Sequence, residues 1–381
     1  MRQVITCFTV FALAVCASAQ SPSISQFFPF YCNSGYTFCP NGFQPALGPV
    51  QLSDGNFYGT TWYGSTSTGL GTVWQATPAG DINILYTFES NGSGQYLNGS
   101  YPSVSFEAGP EGKLYGVTLE GGAQGEGVFY SITPGGSQQV LYNFCSVAGC
   151  PDQAVPIVLA SDGNFYGISF PTSTSSIIFR LTPQGAWSQF YTFPLGQLGE
   201  ELVAGTDGTL YGVEAPTSFT KFKESVFRLT TAGEYTVLRT FPKGDRVNPL
   251  VQSAGGTLYG VSCCGTNTGV FEITTVGKYK MVQKTPEGAF QPSLLVPGSD
   301  GNLYGLIANG GNYDGQVFGI FAKKKDSFSE TLNCADGCVP LSLTEGSDGN
   351  FYGLTAKGGT VSPGDNTDGT VFKVATGLKN R

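Results

Sequence analysis

Histidine is missing altogether from the 381 residues of this chain. Ser-His-Asp and Cys-His catalysis are therefore excluded, as is every histidine-ligated metal site. Charge is scarce too. Asp, Glu, Lys and Arg together make up 12%, and the net charge is −8. So few cations offer no basic surface for phosphates, so no nucleic-acid partner is expected, and an anionic membrane surface is disfavoured for the same reason. Beyond residue 19 no stretch is long and apolar enough to span a bilayer. What the chain has in quantity is Gly (55), Phe (28), Pro (22) and Tyr (19). That mixture suits short strands joined by tight turns rather than amphipathic helices, and it carries too much apolar surface for a disordered chain.

The length would allow two or three ordinary domains, but an internal repeat overrides that prior. Ser-Asp-Gly-Asn-Phe-Tyr-Gly occupies 53–59, 161–167 and 347–353, and recurs with Leu for Phe at 299–305. Looser copies are Pro110–Gly116, Thr206–Gly212 and Ala254–Gly260. The repeat tyrosines (Tyr58, Tyr115, Tyr166, Tyr211, Tyr259, Tyr304 and Tyr352) follow one another at 45 to 57 residues. Such a period, filled only with strand-like segments, predicts an all-β, seven-bladed β-propeller of four-stranded blades over residues 20–381.

Each copy parses into strands a to d. Strand a is a short apolar piece such as Leu250-Val251. An Asp-Gly-Asn turn follows, because Gly and Asn tolerate positive φ. Strand b then reads as Phe57–Thr61 does, strand c as Thr72-Val73-Trp74, and strand d as Ile84–Phe88. The Gly after each repeat Tyr reads as a place where a neighbouring backbone comes close. The seventh copy runs out after Val374, before any strand d, while Ile24–Phe30 near the start resembles one. Residues of about 22–31 are therefore expected to complete blade seven, removing the open edge.

The repeat resembles the GloVer motif of exported bacterial proteins, on Gly369–Val374, Val140–Phe144 and Ser299–Gly305. The likeness extends over nearly all of residues 22–377. It implies a propeller-like repeat on an exported protein, without specifying a molecular activity. Members of such families often carry a C-terminal anchoring signal. Gly377–Arg381 is no such tail, so an anchored fate is not expected.

Residues 1–19 read as a signal peptide, with Arg2, an apolar run from Val4 to Val15, and Ala17-Ser18-Ala19 as the cleavage site. Acylation of Cys16 is the weaker alternative, since bulky Val15 stands where a small residue is usual. The expected location is secreted, periplasmic or cell-surface. The eight remaining cysteines fit an oxidising compartment and form local pairs: Cys32 with Cys39, Cys145 with Cys150, Cys263 with Cys264, and Cys334 with Cys338. Three pairs begin just after a strand d and read as disulfide staples; a thiolate metal site would need four ligands that these separated pairs do not supply. Cys263-Cys264 reads as a vicinal disulfide, two free thiols, or thiols paired elsewhere.

Strands alternate in direction, so the a–b and c–d turns share one face and the longer b–c and d–a loops share the other. Variable loops on a rigid scaffold are where binding residues concentrate. The loop face holds the candidates Trp62, Tyr63, Glu120, Glu126, Tyr313 and Asp314, and also Lys221, Lys223, Cys263-Cys264, and Asp365 with Asp368. Trp62-Tyr63 suits stacking on a sugar ring or ordinary packing at a strand end. The loop 365–368 misses the spacing of a Ca²⁺ loop. The repeated Asp54, Asp162, Asp207, Asp300 and Asp348 read as turn chemistry. No cofactor or metal is expected. The reading is a monomeric, non-catalytic exported protein that binds carbohydrate or protein through the loop face. The alternative is a carboxylate-dependent glycosidase or lyase.

Overall fold

The structure is a computed structural model. It describes residues 22–33, 38–64, 69–91, 93–102, 105–145, 155–217, 223–264, 268–284, 292–308, 315–321, 327–335, 337–359 and 366–375. The expected signal peptide, Cys150, Lys221, Tyr313, Asp314 and Asp365 lie outside the described residues.

Seven antiparallel four-stranded sheets follow one another, six of them in simple order a-b-c-d. In blade 1 the strands are Phe43–Gln51, Phe57–Tyr63, Thr72–Ala76 and Ile82–Thr87. The first strands of all seven sheets pack against one another in an unbroken circle, so strand a lines the central axis and strand d lies outermost. Blade 7 is the exception in order. Its a, b and c strands are Cys338–Glu345, Phe351–Lys357 and Asn366–Ala375, and its outer strand is Ser23–Cys32 from the N-terminus. Ser23 pairs with Ala375 and Cys32 with Asn366, so head and tail of the chain are zipped along ten residues. The closure expected of residues 22–31 is thus the observed one.

The short motif Phe/Leu-Tyr-Gly has a separate job for each residue. In a strand, neighbouring side chains point to opposite faces. Phe57 faces the preceding blade, where its ring lies 4.3 Å from Tyr352. Tyr58 faces the following blade, in one cluster with Leu114 and Tyr130. Tyr115 meets Phe165 at 4.8 Å and Tyr304 meets Phe351 at 4.1 Å in the same relation. Each blade is buried on both faces, which is why two adjacent apolar residues recur instead of clean alternation.

The glycine has two reasons, a ring as well as the expected backbone. A Cβ at Gly59 would collide with the ring of Trp74, and at Gly116 with Tyr130; Phe179, Phe227, Phe271, Phe318 and Phe372 fill that place in the other blades. The aromatic ring of strand c lies across the glycine of strand b in the same sheet. A backbone carbonyl of strand a crowds Gly59, Gly212, Gly305 and Gly353 just as closely, so the expected approach of a neighbouring backbone holds at these four.

The aspartates belong to the turns. Asp54 Oδ1 accepts from the Asn56 backbone N–H at 2.9 Å, and Oδ2 accepts from the Tyr58 hydroxyl at 2.6 Å. Asp162, Asp300 and Asp348 repeat both contacts with their own Asn and Tyr. At Asp348 burial opposes ionisation, but hydrogen bonds from Asn350, Lys373 and Tyr352 outweigh it and hold the carboxyl at about 2. Asp207 likewise accepts from the Thr209 N–H and the Tyr211 hydroxyl, so all five acids are occupied in holding their turns.

Cys32–Cys39 and Cys334–Cys338 are disulfides, and Cys145 is also disulfide-bonded. Among the described residues no helix is long and apolar enough to cross a membrane.

Deleting residues 22–31 is expected to lower the unfolding temperature strongly, because blade 7 loses its outer strand together with buried Phe28 and Phe30. Phe28→Ala alone should cost about 3–5 kcal/mol. Thermal unfolding measures both, and an unchanged transition in the deletion would refute the closure.

Candidate functional site

Two regions of the loop face depart from simple repeat packing. The first lies on blades 1 and 2. Trp62 and Tyr63 end strand b of blade 1, and both are half-buried. Tyr63 stacks on Phe43 at 4.7 Å and meets Tyr101 edge-on at 5.9 Å, while Trp62 lies 6.0 Å from Tyr101. These four rings form an aromatic shelf. Tyr101 adopts φ +55, a left-handed conformation that a bulky residue rarely takes and that the surrounding fold must hold. Its N–H donates to Leu70 O, and its carbonyl accepts from Leu119 N. Exposed Glu120 lies near enough to raise the Tyr101 hydroxyl's pKa, after burial itself. Glu126 is exposed too, on the same loop, where its backbone bridges to Gly121. Of the six ligand candidates, then, four lie in this region, and Trp62, Tyr63 and Glu120 gather around Tyr101. Exposed apolar surface also comes from Leu119 (39%) on the loop of Glu120 and from Phe38 (56%) in the connection that precedes Phe43.

The second region is where blade 4 meets blade 5. At three other junctions a proline of one blade seats against a glycine three residues before the strand-c aromatic of the blade before. Pro102 packs on Gly71, Pro340 on Gly315 and Pro45 on Gly369, each glycine having positive φ. Blade 4 lacks this fit towards blade 5. Glu201 stands ten residues before Tyr211, where the other copies have Gly48, Ser105, Pro156, Pro249, Leu294 and Ser342. Glu224 stands three before Phe227, the place of Gly71 before Trp74. The Glu201 carboxylate accepts the Leu250 N–H at 3.0–3.1 Å, and Glu224 Oε2 accepts the Val247 N–H. Two carboxylates thus clasp the bulged start of strand a of blade 5 (Arg246–Gln252).

Burial is the main reason both carboxyls are pushed up to about 7. Backbone hydrogen bonds oppose it, and neighbouring carboxylates, Glu200 among them, add to it. The Glu224 side chain is 1% exposed, with Arg246 Nη1 at 4.0 Å from Oε1. Cys263 ends strand b of blade 5 and feels both Glu224 and Arg246; its Sγ lies 2.9 Å from that of Cys264. A third acid, Glu107, sits on the innermost strand of blade 2 opposite Tyr115. There five other blades have valine and blade 7 has Thr344. Burial lifts Glu107 to about 7 as well. Among the described residues no three His, Cys, Asp or Glu converge to hold a metal ion.

Sequence reasoning missed Glu107, Glu201 and Glu224, and also Phe43 and Tyr101 as partners of Trp62-Tyr63. The signal was present in the repeat for Glu107, where five other copies have Val, and for Glu224, where four have Gly, but not for Glu201, whose position varies from copy to copy.

A model of the Gloeobacter/Verrucomicrobia repeat matches residues 29–215 and 197–380. The chain belongs to this repeat family. Solved structures share the fold of this family member at low identity. Virginiamycin B lyase from Staphylococcus aureus with quinupristin is 13% identical, with a TM-score of 0.60 over 93% of this chain and 99% of that one. That structure is of a catalytically inactive variant with alanine in place of a histidine. Puromycin hydrolase is 12% identical, with a TM-score of 0.59 over 86% of this chain and 53% of the other. Oligogalacturonate lyase in complex with manganese is 15% identical, with a TM-score of 0.50 over 81% and 79%. A comparison with curated proteins returns no sequence match.

The raised carboxyls set a pH dependence. Between about 4.5 and 7 the folded protein keeps protons that the unfolded chain has released, so stability falls as pH rises through that window and levels off above it. Glu201→Gln and Glu224→Gln keep an acceptor for the strand but cannot ionise. Each should narrow the gap in melting temperature between pH 5 and pH 8, with Glu107 accounting for part of what remains. Melting curves with the wild-type pH dependence would contradict the assignment.

Proposed function

We propose that the chain is an exported, monomeric binding protein without catalytic activity, which recognises carbohydrate or another protein through its loop face. One observation carries this reading. Among the described residues, the exposed large apolar side chains Phe38, Leu97, Leu119, Phe170 and Leu195 all fall in b–c or d–a connections or the strand ends beside them. The turn face holds only Val276, in a c–d turn, while Val237 lies on an outer strand and Leu341 on an inner one. Exposed apolar surface gathered on one face of a rigid ring suits ligand contact. The shelf of Phe43, Trp62, Tyr63 and Tyr101 beside Glu120 combines flat apolar faces with hydroxyl and carboxylate groups, the mixture that pyranose rings require. Export rests on the signal-like residues 1–19, and the disulfides are compatible with an oxidising compartment.

A second reading is an enzyme, supported by Glu201 and Glu224, whose carboxyls near 7 have the acidity of general acids and bases. The solved neighbours named as lyases and a hydrolase share only the fold. The histidine whose loss inactivates the virginiamycin lyase variant has no counterpart, since this chain has no histidine.

Glycan-array binding, run with a hydrolase and lyase screen, separates the readings. Trp62→Ala with Tyr63→Ala should weaken glycan binding at least about tenfold, equivalent to ~1.4 kcal/mol, while the melting temperature stays close to wild type. Glycan turnover that is abolished in Glu201→Gln or Glu224→Gln would overturn the binding-only reading.

A further inference from the structure

The cysteines at the blade 4–5 rim behave unlike the others. The other described cysteines are disulfide-bonded, each in or at the edge of a d–a connection. Cys263 and Cys264 are unbonded and sit at the end of strand b in blade 5 (Leu258–Cys263). Their sulfurs are 2.9 Å apart, inside van der Waals contact, and Cys264 is exposed to solvent. Cys264 has φ +69, a left-handed conformation for a residue with a side chain. The backbone is already bent in the sense that turns one thiol towards the other.

We infer that Cys263 and Cys264 form a reversible vicinal disulfide on the loop face, closed by exchange with a disulfide oxidant and reopened by thiols. The balance is complete. The exposed Cys264 thiolate attacks one sulfur of the oxidant and forms a mixed disulfide, releasing the first thiol. Cys263 then gives up its proton and attacks Cys264 Sγ, releasing the second thiol. The two cysteines are oxidised by two electrons and the oxidant is reduced to two thiols.

Two physical points make this pair the labile one of the chain. Neighbouring Cα atoms are ~3.8 Å apart across a trans peptide, short of the usual disulfide span of about 4.4–6.8 Å. The ring is therefore strained, and strained, exposed disulfides are reduced more readily than structural ones. Burial, the Cys264 sulfur and the Glu224 carboxylate also push the Cys263 thiol up to about 12, so Cys264 is the sulfur that starts the exchange. Closure replaces two thiols by a flat, apolar, rigid pair of sulfurs. It does so beside Arg246, whose side chain is 50% exposed, and Glu224. The chemistry of this rim then depends on oxidation state, whatever ligand the loop face binds.

The test uses the full chain and glutathione disulfide as oxidant. The protein is equilibrated with it, alkylated under denaturing conditions, and digested without reduction for mass spectrometry. The expected peptide carries Cys263 and Cys264 linked to each other, with two hydrogens lost and no alkyl group. Graded thiol reductant should then open this bond before Cys32–Cys39 and Cys334–Cys338. Cys264→Ser should leave Cys263 alkylatable, and Cys263→Ser should trap Cys264 as a mixed disulfide with glutathione, both with an unchanged melting temperature. Alkylation of both cysteines after equilibration, a stable glutathione adduct on the wild type, linkage of either to another cysteine, or opening after the other bonds would each overturn the inference.

Discussion

Every blade presents an apolar residue on each face of its second strand, and no four-stranded sheet can cover both by itself. Phe57 reaches back to Tyr352 while Tyr58 reaches forward to Leu114 and Tyr130. The same relation links Leu303 to Val270 in blade 5, and Tyr304 to Phe351 in blade 7. Burial of this kind is non-directional, but the repeat fixes its geometry: five of the seven tyrosines keep their hydroxyl at the wet rim, on a turn aspartate, with the ring between blades. The circle closes because the first strand of the chain supplies the outer edge of the last sheet.

The same economy explains why the two faces differ. On the turn face, the repeated aspartates are used up by backbone N–H groups and tyrosine hydroxyls, so the chemistry is consumed by holding the turns. The loop face has no such common plan. There a proline on one blade fits a glycine on the previous one at three junctions, and backbone strain gathers at Tyr101 and Cys264. Positions relieved of the repeat's demands are free to carry recognition.

The junction of blades 4 and 5 shows what happens without the proline–glycine fit. Glu224, in the glycine's place, accepts a strand N–H group, Glu201 accepts another, and at the junction of blades 3 and 4 Ser176 Oγ accepts the N–H of Gly199 at 2.9 Å. Buried carboxyls with pKa near 7 cost stability when ionised, which an apolar fit does not. A repeat that accepts that cost at one junction, next to an exposed arginine and a vicinal thiol pair, concentrates its unusual chemistry in one place.

The amino-acid order by itself settled the number of blades, the strand that closes the ring, the turn role of Asp54 and its copies, and the local disulfides Cys32–Cys39 and Cys334–Cys338. All of these are periodic or short-range, so the pattern is written along the chain. Only the tertiary structure brought Phe43 and Tyr101 onto Trp62 and Tyr63, and set Glu201 and Glu224 together against Val247 and Leu250. It also showed that the glycine after each tyrosine makes room for a ring as well as for a neighbouring backbone. The physical reason is the same in each case. Contacts between blades, and rings lying across a sheet, join residues many positions apart by shape, and shape complementarity leaves no local mark in a sequence.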